Sequence, residues 1–173
     1  MNGWSSHRRS AFTLIELIAV MTLVAILAAV AIPSFASVGS TNAGMAARIL
    51  AADIAFARQR AIATGVRTWV TIDPDAEQWT LASEQPGVPG LADALAIQRP
   101  GVGGDWSVNF SDFDLDSADV TAAVFDGAPT VGFDWRGQPL QASGARLAAD
   151  GVVSLAGGRQ IVVDVASGVV ELR

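Results

Sequence analysis

Residues 12 to 32 form an apolar run whose only charged side chain is Glu16. As a helix rising 1.5 Å per residue, such a run spans about 30 Å, the thickness of a bilayer's hydrocarbon core. His7, Arg8 and Arg9 precede it and no cation follows until Arg48. The positive-inside rule therefore places the N-terminus in the cytoplasm and the bulk of the chain outside. An ordinary secretory signal would have a shorter core and a small-residue cleavage site, which Ala29, Ala31 and Ala36 could supply, but it leaves Glu16 unexplained. Arg8 and Arg9 suit a twin-arginine signal, whose apolar segment is shorter than this one. A plain signal anchor is the stronger competitor.

Glu16 bears on that choice. A carboxylate in a membrane helix costs up to about 2.5–3.5 kcal/mol at the centre and less near an end, so it usually has a partner and a role. Cleavage just before Phe12 would create an ammonium on the same first turn, able to pair with Glu16 of a neighbouring subunit. Either charge buried alone in lipid would be expensive, so such pairing would register one helix against another.

The string RRSAFTLIELIAVMTLVAILAAVAIPSF resembles the N-terminus of type IV pilins and type II secretion pseudopilins. The resemblance implies that prepilin peptidase cuts between Ala11 and Phe12 on the cytoplasmic side and that Phe12 becomes the N-methylated first residue. It also implies that Glu16 is the assembly glutamate and Pro33 the helix-bending proline. The family usually has Gly before the cut; Ala11, the next smallest side chain, implies slower processing.

Residues 36–44 include Gly39, Ser40 and Gly44 and are expected to break the helix after a membrane and assembly segment at 12–35, itself preceded by a leader at 1–11. Residues 45–173 are expected to form one extracytoplasmic domain: a helix over 45–64 ended by Gly65, then a β-rich part over 66–173. Met45, Ile49 and Phe56 fall on one strip of that helix, and Leu50, Ile54 and Ala61 on another. Period-two alternation from Val66 to Ile72, a turn at 73–78 and a return through Trp79 and Leu81 read as a hairpin. A Pro- and Gly-rich connection at 84–104 follows, with a short element around 91–97. Short strands are expected at 106–110, 120–125, 130–135 and 151–155, and a closing hairpin at 159–172. The fold class is α+β, a long N-terminal helix whose outer half packs on an antiparallel sheet. VGFDWRGQPL and RQIVVDVASGVVELR are similar to the closing part of H-type minor pseudopilins, Phe133, Gly137 and Gly168 carrying the likeness.

Composition argues against catalysis. The chain has no Cys, Lys or Tyr that could act, His7 is its single His, and Gly101, Gly103 and Gly104 lack the third glycine of a dinucleotide fingerprint. No cofactor is expected. Asp112, Asp114 and Asp116 have the spacing of a calcium loop, but Ser117 and Ala123 stand where an EF-hand needs Gly and Glu, so calcium is the weaker reading and a solvated acidic loop the better one. From Thr41 onward nine Arg face 16 acidic residues, 9 − 16 = −7, which makes nucleic acid an unsuitable partner unless Arg136, Arg159 and Arg173 gather on one face. Trp69, Trp79, Trp106 and Trp135 lie in expected strands, where packing is a better use than stacking on a ligand.

The expected function is that of a minor pseudopilin, a structural subunit of a type II secretion pseudopilus in the bacterial inner membrane and periplasm. Its implied partners are other pseudopilins, prepilin peptidase, the inner-membrane assembly platform and membrane lipid. The alternatives are a type IV pilus minor pilin serving adhesion or DNA uptake, and a solitary membrane-anchored binding domain.

Overall fold

The computed structural model describes residues 13–101, 103–115 and 118–173, with residues 29–40 described as backbone alone. It divides into two compact units between Val38 and Gly39. Helix α1, Leu14–Thr64, belongs to both.

Thr13 starts α1. Its hydroxyl accepts from the Glu16 backbone N–H at 3.3 Å, satisfying a first-turn donor, and Glu16 occupies the third helical position as in a capping box. From Leu14 to Leu27 the apolar side chains point out on every side; Leu14 is 77% and Ile26 64% exposed. The one hydroxyl here, that of Thr22, donates to the carbonyls of Ile18 and Ala19 at 3.0 and 2.9 Å, which suits an apolar surround.

α1 runs uninterrupted through 36–44, where the sequence leads one to expect a break, although the boundary between the units falls inside that interval. At its end, tertiary packing outweighs the poor propensity of Gly44. Ala43, Ala46 and Ala47 are buried, and the Arg159 guanidinium lies so close over Gly44 that an added Cβ would sit 3.1 Å from its Cζ. Farther on, Leu50, Ile54, Ala57 and Ala61 continue the buried strip, while Met45 is 50% exposed. Gly65, at φ +72°, ends the helix by donating its N–H to Ala61 at 2.9 Å.

The strands that follow are β1 Thr68–Asp73, β2 Gln78–Ser83, β3 Leu95–Ala96, β4 Ser107–Asn109, β5 Val120–Val124, β6 Thr130–Phe133, β7 Pro139–Leu140, β8 Gly151–Leu155, β9 Arg159–Val163 and β10 Val170–Leu172. They make two antiparallel sheets where one was expected. The first has the order β3-β2-β1-β6-β7, with β4 also paired to β2, and the second β10-β9-β8-β5. β1 is central to the first sheet and buries both faces. Val70 and Ile72 face the core shared with α1, and Trp69 lies on the other face against Gly132. A side chain at Gly132 would run into that indole, so the close approach needs glycine. β8 alternates cleanly, with Gly151, Val153 and Leu155 inward. One core joins α1 to both sheets through Leu50, Ile54, Val70, Leu81, Val153 and Ile161.

Candidate functional site

The cleavage and methylation residues Ala11 and Phe12 lie outside the described residues, as does the side chain of Pro33. Glu16 stands exposed in the first turn of α1, at the positive end of the helix dipole, and no cation pairs with it among the described residues. Leu14, Ile15, Leu17 and Ile18 flank it, all more than half exposed. A helix apolar all round is built to be covered by lipid or by other helices. Among the described residues no helix is long and apolar enough to cross a membrane. The expected span at 12–32 includes Phe12 and the side chains of 29–32, which lie outside them.

The acidic loop is organised by its own backbone. Asp112 Oδ2 accepts from the Asn109 N–H at 3.1 Å, and Asn109 in turn caps the 3-10 turn Phe110–Phe113. Asp114 ends that turn in the left-handed region at φ +56°. Asp116 lies outside the described residues, and among those described no group of three acidic or histidine side chains is placed to hold a metal.

Arg136, Arg159 and Arg173 are not brought together. Arg159 and Arg173 sit at the open end of the β9–β10 hairpin, where Gln160 pairs with Arg173, whereas Arg136 occupies a turn beside Gly168, at the closed end. Arg173 is engaged by Glu171 at 3.1 Å. Arg136 lies 4.3 Å from the ring centre of Trp135. That tryptophan is 56% exposed, against the expectation of packing, because β6 ends at Phe133 and Trp135 falls in the following turn. Trp69, Trp79 and Trp106 are buried, so no pair of exposed tryptophans offers a stacking platform among the described residues.

Two residues organise the domain in roles the sequence did not reveal: Asp53, and Arg58, for which the sequence alone suggests a filament contact or, better, a solvated face. Asp53, only 9% exposed, accepts from the indole N–H of Trp79 at 2.7 Å and of Trp106 at 3.1 Å through one oxygen, Oδ2. Phe56, one turn on, stacks on Trp106 at 4.5 Å. The signal was present: an aspartate on the strip of Leu50, Ala57 and Ala61, in a chain with five tryptophans that could donate to it. Arg58 donates one N–H, Nε, to the carbonyls of Gly137 and Ser167 at 3.1 and 3.2 Å, tying α1 to both turns. Gly137 and Gly168 have φ of +78° and +68°, and a Cβ on Gly168 would collide with the Gly137 carbonyl.

In that closing turn Asp164 takes the Ser167 hydroxyl at 2.6 Å and the N–H groups of Ser167 and Ala166. The Ser167 hydroxyl, then its backbone N–H, hold the carboxyl below its ordinary value against a small opposing effect of burial.

Residues 6–32 match the prokaryotic N-terminal methylation motif, and residues 46–168 match the family described as type II transport protein GspH. The fold is similar to that of the minor pseudopilin EpsH from the type 2 secretion system of Vibrio cholerae, with a TM-score of 0.53 and 12% identity over 76% of this chain and 96% of that one. At that identity the likeness is one of fold. No curated protein matches the sequence.

Proposed function

The chain belongs to the type II transport protein GspH family, and from that premise we propose that it acts as a minor pseudopilin of a type II secretion system. Its role is assembly and recognition, without catalysis. The observation that carries this reading is an apolar stem, Leu14 to Leu27, exposed on all sides within a methylation motif and followed by a domain with its own core. Such a stem is stable only where lipid or other stems cover it.

In this reading prepilin peptidase removes residues 1–11, Phe12 is methylated, and the stem waits in the inner membrane with the domain in the periplasm. No metal or other cofactor takes part. The platform then recruits it among other pseudopilins, and the carboxylate of Glu16 takes the free amine of an adjoining Phe12. Thr13 supports this arrangement by capping the first turn, which holds Glu16 within one turn of the new terminus.

The test uses single cysteines, for which the chain offers no background because it has none. Cysteines at Leu17 and at facing positions of partner stems should cross-link in cells producing the full system, and Glu16→Ala should remove the product. Unchanged cross-linking with Glu16→Ala, or mass spectra showing the leader still joined to Phe12, would refute the assembly reading in favour of a plain anchor.

A further inference from the structure

The turn from Asp134 to Gln138 is well braced, yet its tip is left uncovered. The Gly137 N–H donates to the Asp134 carbonyl at 2.8 Å, Asp134 Oδ1 takes the N–H groups of Arg136 and Gln138 at 2.8 Å, and Arg58 holds the Gly137 carbonyl at 3.1 Å. Trp135, 56% exposed, stands on that tip with the Arg136 guanidinium 4.3 Å from its ring centre. Ile62, 45% exposed, reaches the same turn: a Cβ on Gly137 would lie 2.7 Å from its Cδ1. Arg136 makes no ion pair among the described residues, and the acids of the two adjoining turns, Asp134 and Asp164, accept from their own backbone.

An exposed indole on a rigid turn, with an isoleucine and an unpaired guanidinium beside it, has the composition of a binding hot spot, and a turn already ordered loses little freedom on binding. The complement lies at the other end of the same sheet. β1 pairs Thr68 with Phe133, just before this turn, and Asp73 with Gln78, so its six residues, about 17 Å, separate the two ends. At the far end the Asn109 amide donates to the Ala76 carbonyl at 2.8 Å and joins the β1–β2 turn to the 3-10 turn Phe110–Phe113. Asp73, Asp75, Asp112 and Asp114 are exposed there, and the carboxylates of Asp75 and Asp114 have no partner among the described residues. Arg99, half-buried with its guanidinium 5.7 Å from the Phe113 ring centre, is too little to neutralise four aspartates, so this end is acidic. A formal charge of −6 makes two copies repel at a distance, but salt screens that beyond about 8 Å and local complementarity decides the contact. Copies inserted in one membrane share a polarity, so a contact between them joins unlike surfaces, as these two are.

We propose that the Trp135–Arg136 turn, with Ile62 beside it, docks head to tail on the Asp75 and Asp114 end of a second copy of this chain. The inference rests on the assembly reading above. It is tested in cells producing the full system, with two differently tagged full-length chains, one carrying Ala63→Cys beside Ile62 and the other Ala76→Cys, joined by a short bismaleimide. The expected product is the mixed dimer, with like pairs (Ala63→Cys with itself, Ala76→Cys with itself) at least about tenfold weaker. Arg136→Glu and Trp135→Ala in the first chain should each lower the mixed dimer at least about tenfold, and Asp75→Arg with Asp114→Arg in the second should restore it to Arg136→Glu. That rescue, with circular dichroism of each variant, separates binding from folding. A mixed dimer unaffected by Arg136→Glu, like pairs equal to the mixed one, Ala63→Cys joined to another pseudopilin in place of this chain, or no mixed dimer while the Leu17 stem cross-links persist would each overturn the docking site and leave the assembly reading standing. Loss of the stem cross-links in the parent would refute the assembly reading itself.

Discussion

Replacing Asp53 by Ala should unfold the domain more readily than almost any other change of a polar residue. The substitution leaves the indole N–H groups of Trp79 and Trp106, both buried, without their acceptor. Each orphaned donor costs about 1–3 kcal/mol, and relief from burying a charge offsets part of that, for a net loss of about 2–4 kcal/mol. Asp53→Asn retains an oxygen and loses only charge assistance, so about 1 kcal/mol is expected. In a double-mutant cycle with Trp79→Phe the coupling should be about 1–2 kcal/mol, because the second change removes the donor that the first leaves stranded. The assay is urea unfolding of the full chain in detergent, followed by indole emission, which should also shift for the folded Asp53→Ala protein. Equal stability of Asp53→Ala and the parent within about 0.5 kcal/mol would refute the claim that this carboxylate holds the two indoles.

Gly168→Ala should destabilise by about 1–3 kcal/mol from its positive φ, with the collision against the Gly137 carbonyl adding to that; thermal melts of Gly168→Ala and Gly157→Ala, the latter at φ +77° with open space around it, separate strain from collision. Because the folded pKa of Asp164 lies below its unfolded value, its contribution is fully present above about pH 4 and is lost as pH falls through the folded pKa. Carboxyl titration by NMR should show a depressed midpoint that rises toward the ordinary value in Ser167→Ala; an unchanged midpoint would count against the hydroxyl as the main cause. Calcium and EDTA should leave the melting temperature unchanged, whereas a calcium-dependent rise lost in Asp112→Asn would reveal an ion in the acidic loop.

Local chemistry made much of this fold legible. The alternation from Val66 to Ile72, the turn after Asp73 and the hairpin closing at Gly168 all follow from period, turn residues and β-branching, and β1, β2, β9 and β10 lie there. β7 was not legible, because two residues, Pro139 and Leu140, carry no period. Helix continuity through Gly44 was hidden for another reason: it depends on Arg159, over a hundred positions away in the chain, packing across the glycine. Trp135 read as a strand residue because the turn that exposes it is set by Asp134, whose Oδ1 takes the N–H groups of Arg136 and Gln138 at 2.8 Å. The importance of Glu16 was readable because a charge amid apolar residues is a local anomaly. Asp53 shows only as a carboxylate on an apolar strip; its two donors, Trp79 in β2 and Trp106 just before β4, are far away in the chain.

The bond from Arg58 to the Ser167 carbonyl closes a loop of 109 residues, which fixes an order of events at synthesis. The helix emerges first and the acceptors of Arg58 emerge almost last, so the outer half of α1, which β1 and β2 can cover early, is fully packed only when the ribosome has nearly finished. A chain stopped short of β9 would lack Ile161 and Val163 and leave the core between the helix and the second sheet unfilled.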